Sequence, residues 1–237
     1  MRSLYAYGYF FFYMIFTVFK KRKLDKIKRI KGEKAAQEYL HSQVMIWAEK
    51  VLKVCNITME VSGKENIPEE SCCFIGNHQS YFDIPAILFS VDKSMGIIAK
   101  KELEKFKLIS GWMKELKCVF MDRKDIRASL NAINEGAENM RNGCSMLIFP
   151  EGTRSRGPEM NEFKKGSLKM ALKAKVPVIP ITVDGGYKYL ENNKYWIKKG
   201  TIKVVIGKPI YPEKMSREEL KGLSSLLKDE ISKHIQK

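Results

Sequence analysis

Histidine and cysteine are scarce in this chain and poorly arranged for metal work. Its 237 residues include three histidines (His41, His78 and His234) and five cysteines, with no Cys-x-x-Cys pair. Cys72 and Cys73 are adjacent, and Cys55, Cys118 and Cys144 lie far apart in sequence. This spacing argues against a structural zinc site or a disulfide framework. The cysteines read as small buried hydrophobes of a reducing compartment. Gly-x-Ser-x-Gly, the phosphate-binding P-loop and the dinucleotide fingerprint are all missing, which removes the sequence support for a serine-nucleophile hydrolase, a P-loop nucleotidase or a dinucleotide-dependent enzyme. There is no internal repeat, no low-complexity tract and no linker that would divide residues 57–237. No uncharged run reaches the about 20 residues that a spanning helix needs.

What the chain does have is positive charge. The formal net charge is +16, with 44% hydrophobic residues. The apolar content suffices for a packed core. The charge points to an anionic partner: nucleic acid, a membrane surface or a phosphate-bearing ligand, beside the plainer reading of a basic solvated face.

The first 54 residues show one way that charge is used. Leu4 to Phe19 is uncharged and crowded with aromatics, and Lys20 to Lys34 follows with dense Lys and Arg. At about 1.5 Å per residue the apolar run reaches roughly 24 Å, which fits a helix embedded in one leaflet better than a spanning one. A cleavable signal peptide would want the charge first and a small-residue cut site, and neither is there. The basic cluster should lie on the cytoplasmic side, where each Lys or Arg near anionic lipid adds about 1 kcal/mol. The alternative is a buried core helix beside a solvated basic loop. From Ala35 to Val54 the pattern is helical, through Tyr39, Leu40, Gln43, Val44, Trp47 and Val51. This helix could pair with the first or lie on a membrane surface.

Beyond residue 54 apolar strand-like runs alternate with helical patterns. Strands are expected at 57–61, 72–76, 95–99, 119–121, 146–149, 178–183 and 201–206. Helices are expected at 84–91, 101–116, 126–141, 163–175 and 218–235. The fold class is therefore α/β, a largely parallel sheet flanked by helices, with an N-terminal membrane-associated helical segment. The expected division is residues 1–54 for that segment and 55–237 for a catalytic domain. In such sheets ligands gather where strands end and helices begin.

Four strand ends carry candidate chemistry. After 72–76 comes Asn77-His78-Gln79-Ser80-Tyr81-Phe82-Asp83. Histidine is the usual general base near neutral pH, and a carboxylate on its other ring nitrogen would fix the tautomer. His78 and Asp83 lie five apart, so the pair must bridge a turn and a helix start rather than share a helix face. The plainer reading is that Asp83 caps the helix carrying Pro85 and His78 is a turn residue. After 146–149 comes Pro150-Glu151-Gly152-Thr153-Arg154-Ser155-Arg156. Gly152 permits a sharp turn with exposed N–H groups. Arg154 and Arg156 offer planar forks for phosphate oxygens, and Glu151 could orient an arginine or accept a ligand hydroxyl. An ordinary polar loop would have the same composition. Lys100 and Lys101 follow 95–99, and Arg123 follows 119–121; taken singly, each is as well read as a solvated charge. Together the four strand ends suggest a general base beside a phosphate site, with Lys100, Lys101, Arg123, Glu151, Gly152, Thr153 and Arg154 as candidate substrate contacts.

These segments resemble the glycerolipid acyltransferase family, most closely its bacterial lysophosphatidate acyltransferase branch. The resemblance rests on Asn77-His78 and Asp83, Val119-Phe120-Met121-Asp122-Arg123, Phe149-Pro150-Glu151-Gly152-Thr153-Arg154-Ser155, and Val176-Pro177-Val178-Ile179-Pro180-Ile181. It covers about residues 57–212. It implies that His78 is the base and Asp83 its partner, that Arg123, Glu151, Gly152 and Arg154 hold a glycerol phosphate, and that 176–181 helps to shape the acyl side. It further implies a fatty acyl transfer from an acyl thioester, carried by acyl carrier protein or coenzyme A, to a lysophospholipid hydroxyl, most closely that of 1-acylglycerol 3-phosphate, with glycerol 3-phosphate or another lysophospholipid as the alternative acceptor. No metal or bound cofactor is expected, and no nucleic acid partner. Membrane lipids are the expected surroundings, with the catalytic domain facing the cytoplasm. The chain departs from the family pattern at Lys117, where the second motif usually opens with glycine, and at Met121, where isoleucine is common.

Overall fold

The computed structural model describes residues 2–122, 125–164 and 166–236. The chain begins with one long helical element, α1 (Arg2–Val54), interrupted at Gly32, whose φ of 85° and ψ of 178° are not helical. A side chain would resist that φ, so glycine is where the chain can fold back. The two arms pack together: Lys20 and Lys50, one from each arm, both sit over the ring of Tyr13. Leu24 on one arm and Ala36 and Leu40 on the other bury a small cluster against Trp112 and Leu116. The N-terminal run and the helix beginning at Ala35 are thus paired, and the basic stretch between them is helical too.

The remaining elements alternate as the patterning suggests. They are β1 (Ile57–Ser62), β2 (Cys73–Gly76), α2 (Asp83–Val91), β3 (Met95–Lys100), α3 (Lys107–Glu115), β4 (Val119–Met121), α4 (Ile126–Arg141), β5 (Ser145–Ile148), α5 (Lys169–Ala174), β6 (Val178–Asp184), α6 (Gly186–Tyr189), β7 (Gly200–Ile206) and α7 (Arg217–Ser232). Helix starts follow their capping residues. Asp125 accepts the N–H groups of Arg127 and Ala128 at the head of α4, and Ser216 with Glu219 forms a reciprocal capping box on α7.

The strands form one seven-stranded sheet in the order β1-β7-β6-β2-β5-β3-β4. Among its pairings only β6 with β7 is antiparallel, so the sheet is largely parallel. Side chains alternate between its faces, as strand geometry requires. Phe74, Leu147, Ile97 and Ile179 join the layer containing α1 and α2. Cys73, Ile75, Met146, Ile148 and Ile98 join the layer of α4, α5 and α7. Ala6, Ala48 and Leu52 of α1 belong to the first of these cores. Because β2, β3, β4, β5 and β6 all run the same way, their C-terminal ends share one edge.

Two helices begin later than their patterns predict. The stretch from Lys101 opens as a 3-10 turn (Lys101–Lys105), breaks at Phe106, and becomes α3 only at Lys107. The stretch from Phe163 becomes helical only at Lys169, because the chain first turns through Gly166 at φ 92°. Both patterns carry the helical period, but each contains a turn that apolar spacing does not register.

Candidate active site

The shared edge of the sheet gathers polar side chains that the fold has buried. At the end of β2 the chain leaves the sheet through Asn77, whose carboxamide takes over from the backbone. Its Nδ2 donates to the Val183 carbonyl at 2.8 Å, and its Oδ1 accepts the Val183 N–H at 2.8 Å. The next residue, His78, is fixed on nearly every side. Its N–H donates to Glu151 Oε1 at 2.6 Å, its carbonyl accepts the Ser155 N–H at 2.7 Å, and its ring stacks on Phe149 at 4.1 Å. Its Nδ1 lies 2.7 Å from Asp83 Oδ2.

Asp83 is fully buried and stands as the first residue of α2, not as its cap. Its Oδ2 also accepts the N–H groups of Gln79 at 2.6 Å and Ser80 at 2.9 Å. The carboxylate therefore organises the turn before the helix and holds the histidine ring. Burial pushes the Asp83 carboxyl above its usual range, opposed by the hydrogen bond and charge of His78 and by the two N–H donors. With Asp83 accepting at Nδ1, the neutral ring carries its proton there and presents Nε2 as the basic nitrogen.

Glu151 follows β5 and is 1% exposed. Its oxygens accept the N–H groups of His78 and, at 2.8 Å, Asn161. Burial raises its carboxyl as well, opposed by these donors. Gly152 turns the chain at φ 74°, and Thr153 is exposed beside it. Arg154 stacks its guanidinium 3.5 Å over the ring of Tyr81, and its Nη1 reaches Glu191 Oε1 at 2.6 Å. Arg156 is exposed, with a left-handed φ of 60°. Lys100 ends β3 and Lys101 follows it; β3 lies two strands from β2, roughly 10 Å across the sheet. Both lysines are exposed, and Lys101 faces Asp122 at 3.4 Å. Arg123 lies outside the described residues. Among the described residues no group of three or more His, Cys, Asp or Glu side chains is arranged to hold a metal ion.

Residues 58–184 match the acyltransferase family. The chain belongs to that family. A 1-acyl-sn-glycerol-3-phosphate acyltransferase of Borreliella burgdorferi is 31% identical over 186 residues, 78% of this chain and 74% of the relative. A probable enzyme of the same name from Mycoplasma pneumoniae is 28% identical over 192 residues, 76% of this chain and 72% of that one. The crystal structure of the 1-acyl-sn-glycerophosphate acyltransferase PlsC from Thermotoga maritima superposes with a TM-score of 0.86. It is 28% identical and covers 99% of this chain and 93% of its own. That structure also carries the fold, including the α/β sheet and the N-terminal helix. The resemblance read from the motifs is thereby shown at the level of family and fold.

Lys117, where the resemblance leads one to expect glycine, takes a left-handed φ of 59°. Two site residues were not singled out in the sequence. In sequence Asn77 is one residue of the histidine motif, and its role as a surrogate strand residue emerges only with its β6 partner Val183. Glu191 lies beyond the matched region, in a Glu-Asn-Asn-Lys turn with no apolar pattern. Its side chain is nonetheless 2% exposed. Only burial distinguishes it from a surface glutamate.

Proposed function

We propose that this acyltransferase moves a fatty acyl group from an acyl thioester to the free hydroxyl of 1-acylglycerol 3-phosphate, giving phosphatidic acid, with His78 as general base. The single observation that carries the reading is the 2.7 Å contact between His78 Nδ1 and buried Asp83, in a chain whose relatives bear that activity in their names. Nε2 takes the hydroxyl proton as the oxygen attacks the thioester carbonyl. Asp83 holds the ring and stabilises the imidazolium. The tetrahedral intermediate collapses by expelling the thiolate, which recovers the proton from His78. Glu151 serves by holding the His78 backbone. Arg154, with Gly152 and Thr153 beside it and Lys100 and Lys101 farther along the edge, supplies the phosphate side, to which the motif also assigns Arg123. Positioning the hydroxyl in this way is what makes the attack effectively unimolecular. The acyl donor is a co-substrate, acyl carrier protein or coenzyme A, and no bound cofactor is called for.

We read residues 1–54 as the membrane-associated unit, with 55–237 as the catalytic domain facing the cytoplasm. Among the described residues no helix is long and apolar enough to cross a membrane. The support is a one-sided helix: Ser3, Ala6, Tyr13 and Thr17 are buried, while Leu4, Tyr5, Phe11, Phe12, Ile15, Phe16 and Phe19 are exposed. An exposed aromatic face ending in a basic stretch suits the interface of anionic lipid. The deciding experiment is acyl transfer by the purified chain in vesicles, comparing lysophosphatidate with glycerol 3-phosphate and with a phosphate-free acceptor. Preference for lysophosphatidate supports the reading, and equal use of the phosphate-free acceptor overturns the phosphate site. Replacing Phe12 and Phe16 with Ser should release the protein from anionic vesicles on sedimentation while leaving transfer to micellar substrate intact.

A further inference from the structure

Glu191 ties together two parts of the site that come from different strand ends. Its Oε2 accepts from Ser80 Oγ at 2.7 Å. Its Oε1 accepts the Tyr81 N–H at 3.0 Å and Arg154 Nη1 at 2.6 Å. Ser80 and Tyr81 belong to the turn that Asp83 organises around His78. Arg154 belongs to the loop after β5. Glu191 comes from neither: it follows β6 and α6, past the end of the matched region at residue 184. Burying this ion pair, at 2% and 13% exposure, is costly unless its geometry is good and its remaining valences are filled. Here Ser80 and Tyr81 fill them. The turn carrying Glu191 is itself closed by Trp196 N–H to the Asn193 carbonyl at 2.8 Å and by Asn193 Nδ2 to the Lys188 carbonyl at 2.6 Å. It also takes left-handed backbone at Lys194 and Tyr195, φ 50° and 65°, a conformation disfavoured for residues with side chains.

We propose that Glu191 is a positioning residue that clamps the histidine turn to Arg154, so that the general base and the acceptor's phosphate keep a fixed separation. The clamp rests on the reading of Arg154 as a phosphate contact. With Nη1 committed to Glu191 and one face committed to Tyr81, the guanidinium has one orientation. Its remaining N–H groups are aimed by the protein rather than found by the ligand. Such preorganisation lowers the cost of ordering the site when substrate arrives.

The hydrogen-bond pattern allows a sharp test. Both N–H donors meet Oε1, and only the Ser80 hydroxyl meets Oε2. A glutamine can therefore accept with its oxygen, turn its amide toward Ser80 Oγ, and keep the clamp without the charge. The full chain is assayed with lysophosphatidate at saturating acyl thioester, alongside thermal unfolding. Glu191→Ala should lower kcat/KM about tenfold to hundredfold, the worth of charge-assisted hydrogen bonds, with both kcat and acceptor KM affected. Glu191→Gln should restore kcat to within a few fold. A folded Glu191→Ala enzyme with normal kcat and KM overturns the clamp, and so does a folded Glu191→Gln enzyme as impaired as Glu191→Ala. Should Glu191→Ala not fold, Ser80→Ala weakens the histidine arm, leaving the Tyr81 N–H as its remaining hydrogen bond to Glu191. It should lower kcat with acceptor KM unchanged, and normal kcat overturns the proposal. Arg154→Ala separates the two ideas. If it leaves acceptor KM unchanged, the phosphate reading is wrong. If it raises KM while Glu191→Ala does nothing, only the clamp is wrong.

Discussion

At the ends of β2 and β5, charged side chains are buried and each is held by several partners. At the end of β3, Lys100 and Lys101 are exposed, and Lys101 meets Asp122 only at 3.4 Å. Both regions lie on the same edge of the same sheet, and both show charged residues just after apolar strands. In sequence they look alike. The difference lies in what the fold spends on them. Burying Asp83, Glu151 and Glu191 is unfavourable unless donors meet them: Asp83 Oδ2 has three, while Asp83 Oδ1 has no hydrogen-bond partner among the described residues. A solvated lysine demands no such arrangement. On the proposed reading, buried charge with several partners marks the reacting end of the edge and exposed charge marks its approaches.

The comparison is tested most severely at its buried extreme. General-base catalysis contributes about 10²–10⁴-fold, so His78→Ala should lose at least the lower figure in turnover while the protein still folds. Asp83→Asn should follow it closely, since an asparagine lacks the charge and can impose the wrong tautomer. Near-normal turnover in either variant, measured by acyl transfer on folded protein, would erase the distinction between the two ends.

Glu151→Gln sharpens the comparison from the stability side. Both oxygens of Glu151 accept backbone N–H groups, so a glutamine must point an amide at one of them. An unsatisfied buried donor costs about 1–3 kcal/mol, and the His78 backbone moves with it. The expected result is a lowered unfolding temperature together with lower turnover, unlike the tolerated Glu191→Gln. Unchanged melting by calorimetry would mean that the Glu151 site is wetter and looser than its burial indicates.

Lys101→Ala is the smallest change. An exposed ion pair is worth about 0–1 kcal/mol, so stability should stay within that range and acceptor KM should change by no more than a few fold. A KM increase as large as that from Arg154→Ala would show that the β3 end is part of the phosphate site.

Much of this was legible in the sequence, for reasons tied to particular residues. The strands β2, β5 and β6 are buried along their whole length and mostly apolar, as buried parallel strands are, and the ends of β2 and β5 put His78 and Glu151 on one edge. The five-residue spacing of His78 and Asp83 rules out a shared helix face and so requires a turn. Less legible was which partner each charge would take. Asp83 could equally have capped its helix, and only in the fold does its carboxylate turn back to His78, Gln79 and Ser80. Glu151 reads as a ligand contact in sequence, yet its oxygens face backbone N–H groups. Glu191 was invisible because its partners are 37 to 111 residues away, and long-range pairing leaves no periodic trace.

Asn77 gives the site a built-in reporter. The Val183 amide hydrogen is paired with a side chain of the histidine turn, not with a neighbouring strand. Its exchange with solvent deuterium is therefore governed by the opening of that turn, whereas amides within the β2–β6 ladder wait for the sheet to part. One peptide spanning β6 thus carries two clocks, and the faster one times the release of the histidine from its scaffold.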